Sequence, residues 1–189
     1  GDSIASSSGA TDPQTVLVAD DPGVIDVNAN QTNPDTFTTG GVTEFTTAVG
    51  ASPAGSRTIY ALTGSGTARA PYLRFHFTTL GSANLNFSYT AVDLDGSTDN
   101  AISRIAVHYR TASTGAWVNL PDGFIADASA GPSLSGLRTT RTFSLPAAAA
   151  NQAVLQIRIM TTDASGNDEW IGIENVSLTG STGALPPSG

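Results

Sequence analysis

Apolar and polar side chains alternate along most of this chain with a period of two. From Tyr72 to Thr79, Leu73, Phe75 and Phe77 fall on one side, and Tyr72, Arg74 and His76 on the other. The same pattern sets Leu85, Phe87 and Tyr89 against Asn86, Ser88 and Thr90, and Ile105, Val107 and Tyr109 against Ala106, His108 and Arg110. Leu155, Ile157 and Ile159 alternate with Gln156, Arg158 and Met160. Such runs predict strands with one face on a core and one face outward. Shorter candidates lie at 16–19, 42–47, 58–62, 117–119, 141–145 and 170–178. Roughly nine or ten strands separated by turn residues predict an all-β fold, a two-sheet antiparallel β-sandwich of the jelly-roll kind. A helix has little support, since the alanine run 147–150 is short, follows Pro146 and reads as a loop. Residues 1–13 are poorly patterned and 181–189 are rich in Gly, Ser and Pro, so the expected layout is a tail, a sandwich over 14–180 and a C-terminal linker. The Asp-, Asn- and Pro-rich stretch 20–34 reads as a long irregular loop.

Composition narrows what such a sandwich can do. The 189 residues include 39% hydrophobic ones, enough for one core, and only 13% charged ones. Sixteen acidic residues face eight basic ones, all arginine, for a net charge of −8. That balance argues against broad contact with a phosphate backbone, so nucleic acid is not an expected partner. The absence of cysteine removes disulfides, thiolate zinc sites and cysteine nucleophiles. No apolar run reaches the length of a membrane-spanning helix, and no signal peptide stands at Gly1, so the chain reads as a mature or excised segment joined to neighbouring domains.

Catalysis finds little footing. His76 and His108 both fall on the polar faces of strands, where a solvated histidine is the plain reading. No nucleophile elbow is present, and Glu169 and Glu174, five residues apart on a strand, point to opposite faces unless a bulge intervenes. Calcium is the better chemical expectation. The run Asp93-Leu94-Asp95-Gly96-Ser97-Thr98-Asp99-Asn100 offers three carboxylates and further oxygens around a tight turn. A second acidic loop, 163–169, contributes Asp168, and if the two preceding strands lie side by side both loops share one rim and one ion. The expected metal ligands are therefore Asp93, Asp95, Asp99 and Asp168, and the same residues also serve ordinary turns. For sugar binding, an exposed aromatic ring is needed. Trp117, after a turn, and Tyr72 are the candidates, with Tyr60 behind them, whereas Trp170 is followed by Ile171 and Ile173 and reads as packing. Arg74, His76, His108, Arg110 and Arg158 form a cationic stripe for an anionic polymer if their strands are neighbours.

Several stretches resemble a known kind of module. They are Ala61-Leu62-Thr63-Gly64-Ser65-Gly66, Asp93-Leu94-Asp95-Gly96, His108-Tyr109-Arg110, Gly123-Phe124-Ile125-Ala126-Asp127 and, most specifically, Gln156-Ile157-Arg158-Ile159 with Asn167-Asp168-Glu169-Trp170-Ile171-Gly172-Ile173-Glu174-Asn175-Val176. Over roughly 15–180 the chain is similar to a β-sandwich accessory module of large secreted bacterial proteins that carry an endonuclease/exonuclease/phosphatase-type domain. Its end resembles the closing strand of concanavalin-like and MAM-type jelly rolls, with Glu174-Asn175 where paired aspartates are usual. The resemblance implies a secreted or cell-surface setting and no activity of this segment's own.

The expectation is thus a non-catalytic extracellular module with a structural calcium ion. It would bind carbohydrate or another extracellular polymer beside a hydrolase domain, through Trp117, Tyr72, Arg110, Arg158 and His108. A structural or protein–protein assembly domain without a small ligand is the alternative, and a nucleic-acid-binding accessory domain or a small hydrolase is a less favoured reading.

Overall fold

Two sheets face each other in the computed structural model of the chain, which describes residues 2–3, 11–18, 27–47, 57–98, 101–131 and 133–182. Eleven strands are present among these residues. They are β1 (Asp2–Ser3), β2 (Val27–Gln31), β3 (Gly41–Thr47), β4 (Arg57–Thr63), β5 (Pro71–Phe77) and β6 (Ser82–Asp93), then β7 (Ala106–Arg110), β8 (Val118–Asn119), β9 (Arg138–Ser144), β10 (Leu155–Met160) and β11 (Ile171–Thr182). The five-stranded sheet runs β1-β5-β10-β7-β8, and the six-stranded sheet runs β2-β3-β4-β11-β6-β9. Every pairing is antiparallel except β2 with β3, which is parallel. The all-β sandwich expected from the alternation is the observed fold.

The period of two decides which side chains fill the gap between the sheets. Leu155, Ile157 and Ile159 of β10 meet Val107 and Tyr109 of β7, and across the gap they face Leu85, Phe87 and Tyr89 of β6 with Ile171 and Ile173 of β11. Phe87 packs edge-on to Phe77 and Phe143, which adds directional ring contacts to plain area burial. The one polar atom that Tyr89 brings into this core is satisfied, because its hydroxyl donates to the Gly123 carbonyl at 2.6 Å.

A second apolar cluster sits on the outer side of the six-stranded sheet, where Phe45, Ala61, Val92, Leu94 and Trp170 pack together with Phe37 and Ile59. Gly172 of β11 makes room for it, since a methyl there would lie 2.5 Å from the Ile59 side chain. β11 then bulges between Glu174 and Ser177, with Asn175 in the left-handed region at φ 52°. Before the bulge, Glu174 forms an ion pair with Arg138 of β9.

Three local readings change. Residues 16–18, expected to begin a strand, instead follow a short 3-10 turn, Pro13–Thr15, whose N-cap Asp12 accepts from the Gln14 amide at 3.0 Å. β2 lies inside the stretch read as irregular loop. The region read as an N-terminal tail supplies β1, an edge strand paired with β5, and from residue 11 onward it crosses the outer face of the five-stranded sheet. No helix among the described residues is long and apolar enough to cross a membrane.

Candidate functional site

The connections that leave β4, β6 and β10 all emerge at one end of the sandwich, and the loop before β3 closes over them. Between them lies a cleft of about 460 Å³ lined from within 34–38, 63–66, 95–98 and 163–170. This volume is in the range of small-molecule pockets, ~300–1,000 Å³. Four carboxylates ring it, those of Asp35, Asp95, Asp163 and Asp168, and Phe37 and Trp170 supply its apolar side.

Local sequence explains each wall. Asn33 caps the 3-10 turn Pro34–Thr36 by accepting from the Asp35 amide at 3.1 Å, which sets Asp35 at the mouth. Asp35 Oδ1 then accepts from the Gly96 amide at 2.8 Å and joins the loop before β3 to the loop after β6. Trp170 Nε1 donates to the Phe37 carbonyl at 2.8 Å, and the two rings lie 5.6 Å apart, so the floor is a fixed aromatic pair. Gly64 lets the turn after β4 press on the following wall, because a methyl there would fall on the Asp163 backbone. Asp168 Oδ1 accepts from the Ala164 amide at 2.8 Å and closes the last loop on itself. The lining named among the described residues contains no arginine and no histidine.

The two acidic loops singled out in the sequence therefore do meet at one rim, although their strands belong to different sheets. The calcium set within them fits less well. Asp93 is fully buried, and its two oxygens accept from the amides of Asp95, at 3.2 Å, and Ala130, at 2.7 Å. It braces the loops from behind rather than facing the cleft. Burial pushes its carboxyl up to about 6, against the pull of those two amides and with the neighbouring Asp95 and Asp127 raising it further. Asp95 Oδ1 accepts from the Ser97 amide at 2.8 Å. Asp99 lies outside the described residues, and among those described no three acidic or imidazole groups converge as metal ligands.

The residues expected to bind ligand are brought together, but under cover. β5, β10 and β7 are neighbours, so Arg74, Arg158 and His108 form one cross-strand row and His76, Gln156 and Arg110 the next. Trp117, expected to be exposed, is 2% accessible and packs against two guanidiniums, with Arg110 at 4.2 Å and Arg158 at 4.5 Å from its ring. Arg158 also stands 5.2 Å from the Tyr72 ring, and it is fully buried, as is His108. Arg110 donates to Gln156 Oε1 at 2.6 Å and to the carbonyls of Gly115 and Ser113, both at 2.9 Å. Segment 11–18 covers Tyr72, Arg158 and His108 and bonds the Trp117 backbone, while Arg110 is covered by Trp117 and the 113–115 turn. Arg158 donates to the Val16 carbonyl, and the Trp117 amide donates to the Leu17 carbonyl at 3.0 Å. Arg158 Nε donates to His108 Nδ1 at 3.0 Å, which assigns that nitrogen as the acceptor and places the ring proton on Nε2. Burial, and next the Arg158 charge, hold His108 down at about 3, so it is neutral. Of the two histidines read as solvated, only His76 is exposed.

Asp35 and Phe37 are cleft residues with no functional mark in the sequence, while Asp163 lies in the second acidic loop but outside the expected ligand set. Asp35 and Phe37 belong to a stretch whose polarity offered no strand period, and the one local signal is the Asn33-Pro34 start of a turn.

No family model matches the chain, and no curated protein matches it. Among solved structures it is similar to a non-crystalline cellulose specific carbohydrate-binding module, CBM28, at 14% identity and a TM-score of 0.43, over 83% of this chain and 99% of that one. It is similar to TmCBM61, solved in complex with beta-1,4-galactotriose, at 8% identity and a TM-score of 0.42, over 68% and 73%. It is also similar to the enzymatically active domain of bacteriophage CBA120 tailspike protein 4, at 9% identity and a TM-score of 0.43, where 82% of this chain spans 18% of that one.

Proposed function

We propose that this chain is a non-catalytic carbohydrate-binding module and that the rim cleft is its glycan site. The observation that carries the reading is the cleft's chemistry, four carboxylates and several hydroxyl and backbone groups around an aromatic floor, with no cation in its lining among the described residues. Carboxylates accept hydrogen bonds from vicinal sugar hydroxyls, and such charge-assisted bonds are the stronger kind. The same ring of negative charge repels uronic acids, sulfated glycans and nucleic acid. The ligand class is therefore a neutral glycan. Phe37 gives the pyranose an apolar edge to lie against, while Trp170, 1% accessible, holds Phe37 in place rather than stacking on the sugar itself.

In this reading the setting is extracellular, and the module holds a neighbouring hydrolase domain close to its polymer by raising local concentration. Binding through Trp117, Tyr72, Arg110, Arg158 and His108 is not part of it, since those side chains are buried. Calcium is not required by it either, because Asp93 is spent on backbone amides.

A glycan array probed with the purified chain tests this. Neutral glycans should bind and acidic ones should not, and Asp163→Ala should weaken the best neutral ligand by at least about tenfold, the loss of one charge-assisted hydrogen bond of about 1.5–3 kcal/mol. Binding confined to acidic glycans, or an Asp163→Ala variant that binds as the parent does, would overturn the reading.

A further inference from the structure

We infer that residues 11–18 form an acid-released strap, in which His108 is the trigger and the aromatic–guanidinium cluster is what the strap conceals. The strap closes the outer face of the five-stranded sheet. Pro13 is buried, and Val16 packs with Ala70, Tyr72 and Met160. Side-chain and single backbone hydrogen bonds tie it to the sheet. Arg158 reaches the Val16 carbonyl, the Trp117 amide reaches Leu17, Thr162 Oγ1 donates to the Thr11 carbonyl at 2.6 Å, and Asn119 Nδ2 donates to Gln14 Oε1 at 3.3 Å. No ladder of strand pairing adds to these, because 11–18 is not a strand.

His108 lies beneath. From β10 it is faced by Arg158, whose Nε donates to it, and Arg158 stands in register with Arg74 of β5. Along β7 the next outward side chain is Arg110, and across on β8 the register partner is Asn119. From the strap come the Pro13 carbonyl, which favours the protonated ring, and the turn-capping Asp12. The charged side chains in the row itself are thus cationic. A proton added to His108 destroys the acceptor for Arg158 and sets a second positive charge against it. The ring can regain its ordinary proton affinity only by reaching water. β7 and β10 are hydrogen-bonded and packed on the main core on their other side, so the lowest-cost opening lifts the strap. The open state binds the proton and the closed state does not, and linkage then shifts the balance toward opening by up to about tenfold for each pH unit below the histidine's ordinary value of about 6.5. Opening uncovers Tyr72, Arg158 and the edge of Trp117, a face of rings and guanidinium that is closed at neutral pH.

Hydrogen exchange on the whole chain from pH 7 to pH 4, corrected for the intrinsic exchange rate, reads this directly. Protection of the Val16 and Trp117 amides should fall by about tenfold per pH unit between pH 6 and pH 4. The β10 amides should stay protected over the same range. In His108→Gln, which keeps an acceptor for Arg158 but cannot take the proton, strap protection should not change with pH. Strap protection that is independent of pH in the parent chain, or that is lost together with β10, would overturn the inference. If His108→Gln does not fold, the comparison of strap with β10 in the parent chain decides alone.

Discussion

Buried polar residues carry the most specific information at the scale of single side chains. Asp93 shows how one residue type can be read two ways. In sequence it sits in an acidic, glycine-containing run and looks like a cation ligand. In the fold its oxygens meet two backbone amides, and its burial leaves the ionised form short of solvation. Its carboxyl titrates at about 6 when folded against 3.8 as its ordinary value, so the folded state binds the extra proton between these limits. Stability from this group is therefore fully present below about pH 3.8 and is lost as pH rises through 6. In Asp93→Asn, chemical denaturation at pH 4 and pH 7 should show that the parent loses on the order of 2 kcal/mol more than the variant over that interval. A parallel pH dependence in both proteins would show that the carboxyl is not held in this way. Trp117 carries the opposite lesson. A tryptophan after a turn reads as a ligand platform, but here two arginines pack on its ring and the strap bonds its amide. Nothing in the local pattern signals that cover, because the strap lies about 100 residues away in sequence.

At the scale of elements, the long alternating runs were fully legible. β5, β6, β7 and β10 appear where the period of two placed them, with the apolar member of each pair on the main core. The failures have physical causes. β2 is polar and pairs in parallel at an edge, so no apolar face marks it. Residues 16–18 look like a strand because Val16, Leu17 and Val18 form a short apolar, β-branched run, yet Pro13 and Asp12 start a turn and the segment docks side-on. The outer apolar cluster was also hidden, because Phe45, Ala61 and Val92 lie on faces that a sandwich usually leaves to water. Gly172 is the element-scale key to that cluster. Gly172→Ala should lower the melting temperature, since the added methyl meets Ile59 and Leu94 at 2.5 Å and 3.1 Å and overpacking of this kind costs about 1–3 kcal/mol. Because Trp170 and Phe37 belong to the same cluster, the variant should also loosen the cleft floor. An unchanged melting temperature would mean that the cluster is slack.

At the scale of the whole molecule, the sandwich places its useful chemistry where loops from both sheets converge. Chain alternation identified the scaffold, and the two acidic loops could be read as sharing a rim, but the cleft itself depends on a third wall from 34–38 that only the folded chain brings over. Net charge points the same way as the local geometry. A chain carrying −8 with its arginines Arg110 and Arg158 folded inward presents an acidic rim, which suits an uncharged polyhydroxylated ligand better than an anionic one. Amide chemical-shift mapping with the best neutral glycan from the array separates this from every other surface of the protein. If the rim cleft is the glycan site, shifts concentrate at Gly64 to Gly66, Ser97 and Thr98, and Asp163 to Trp170, with the β5–β10–β7 face silent at neutral pH. Shifts centred on that face, on Trp117 and its arginines, would contradict it.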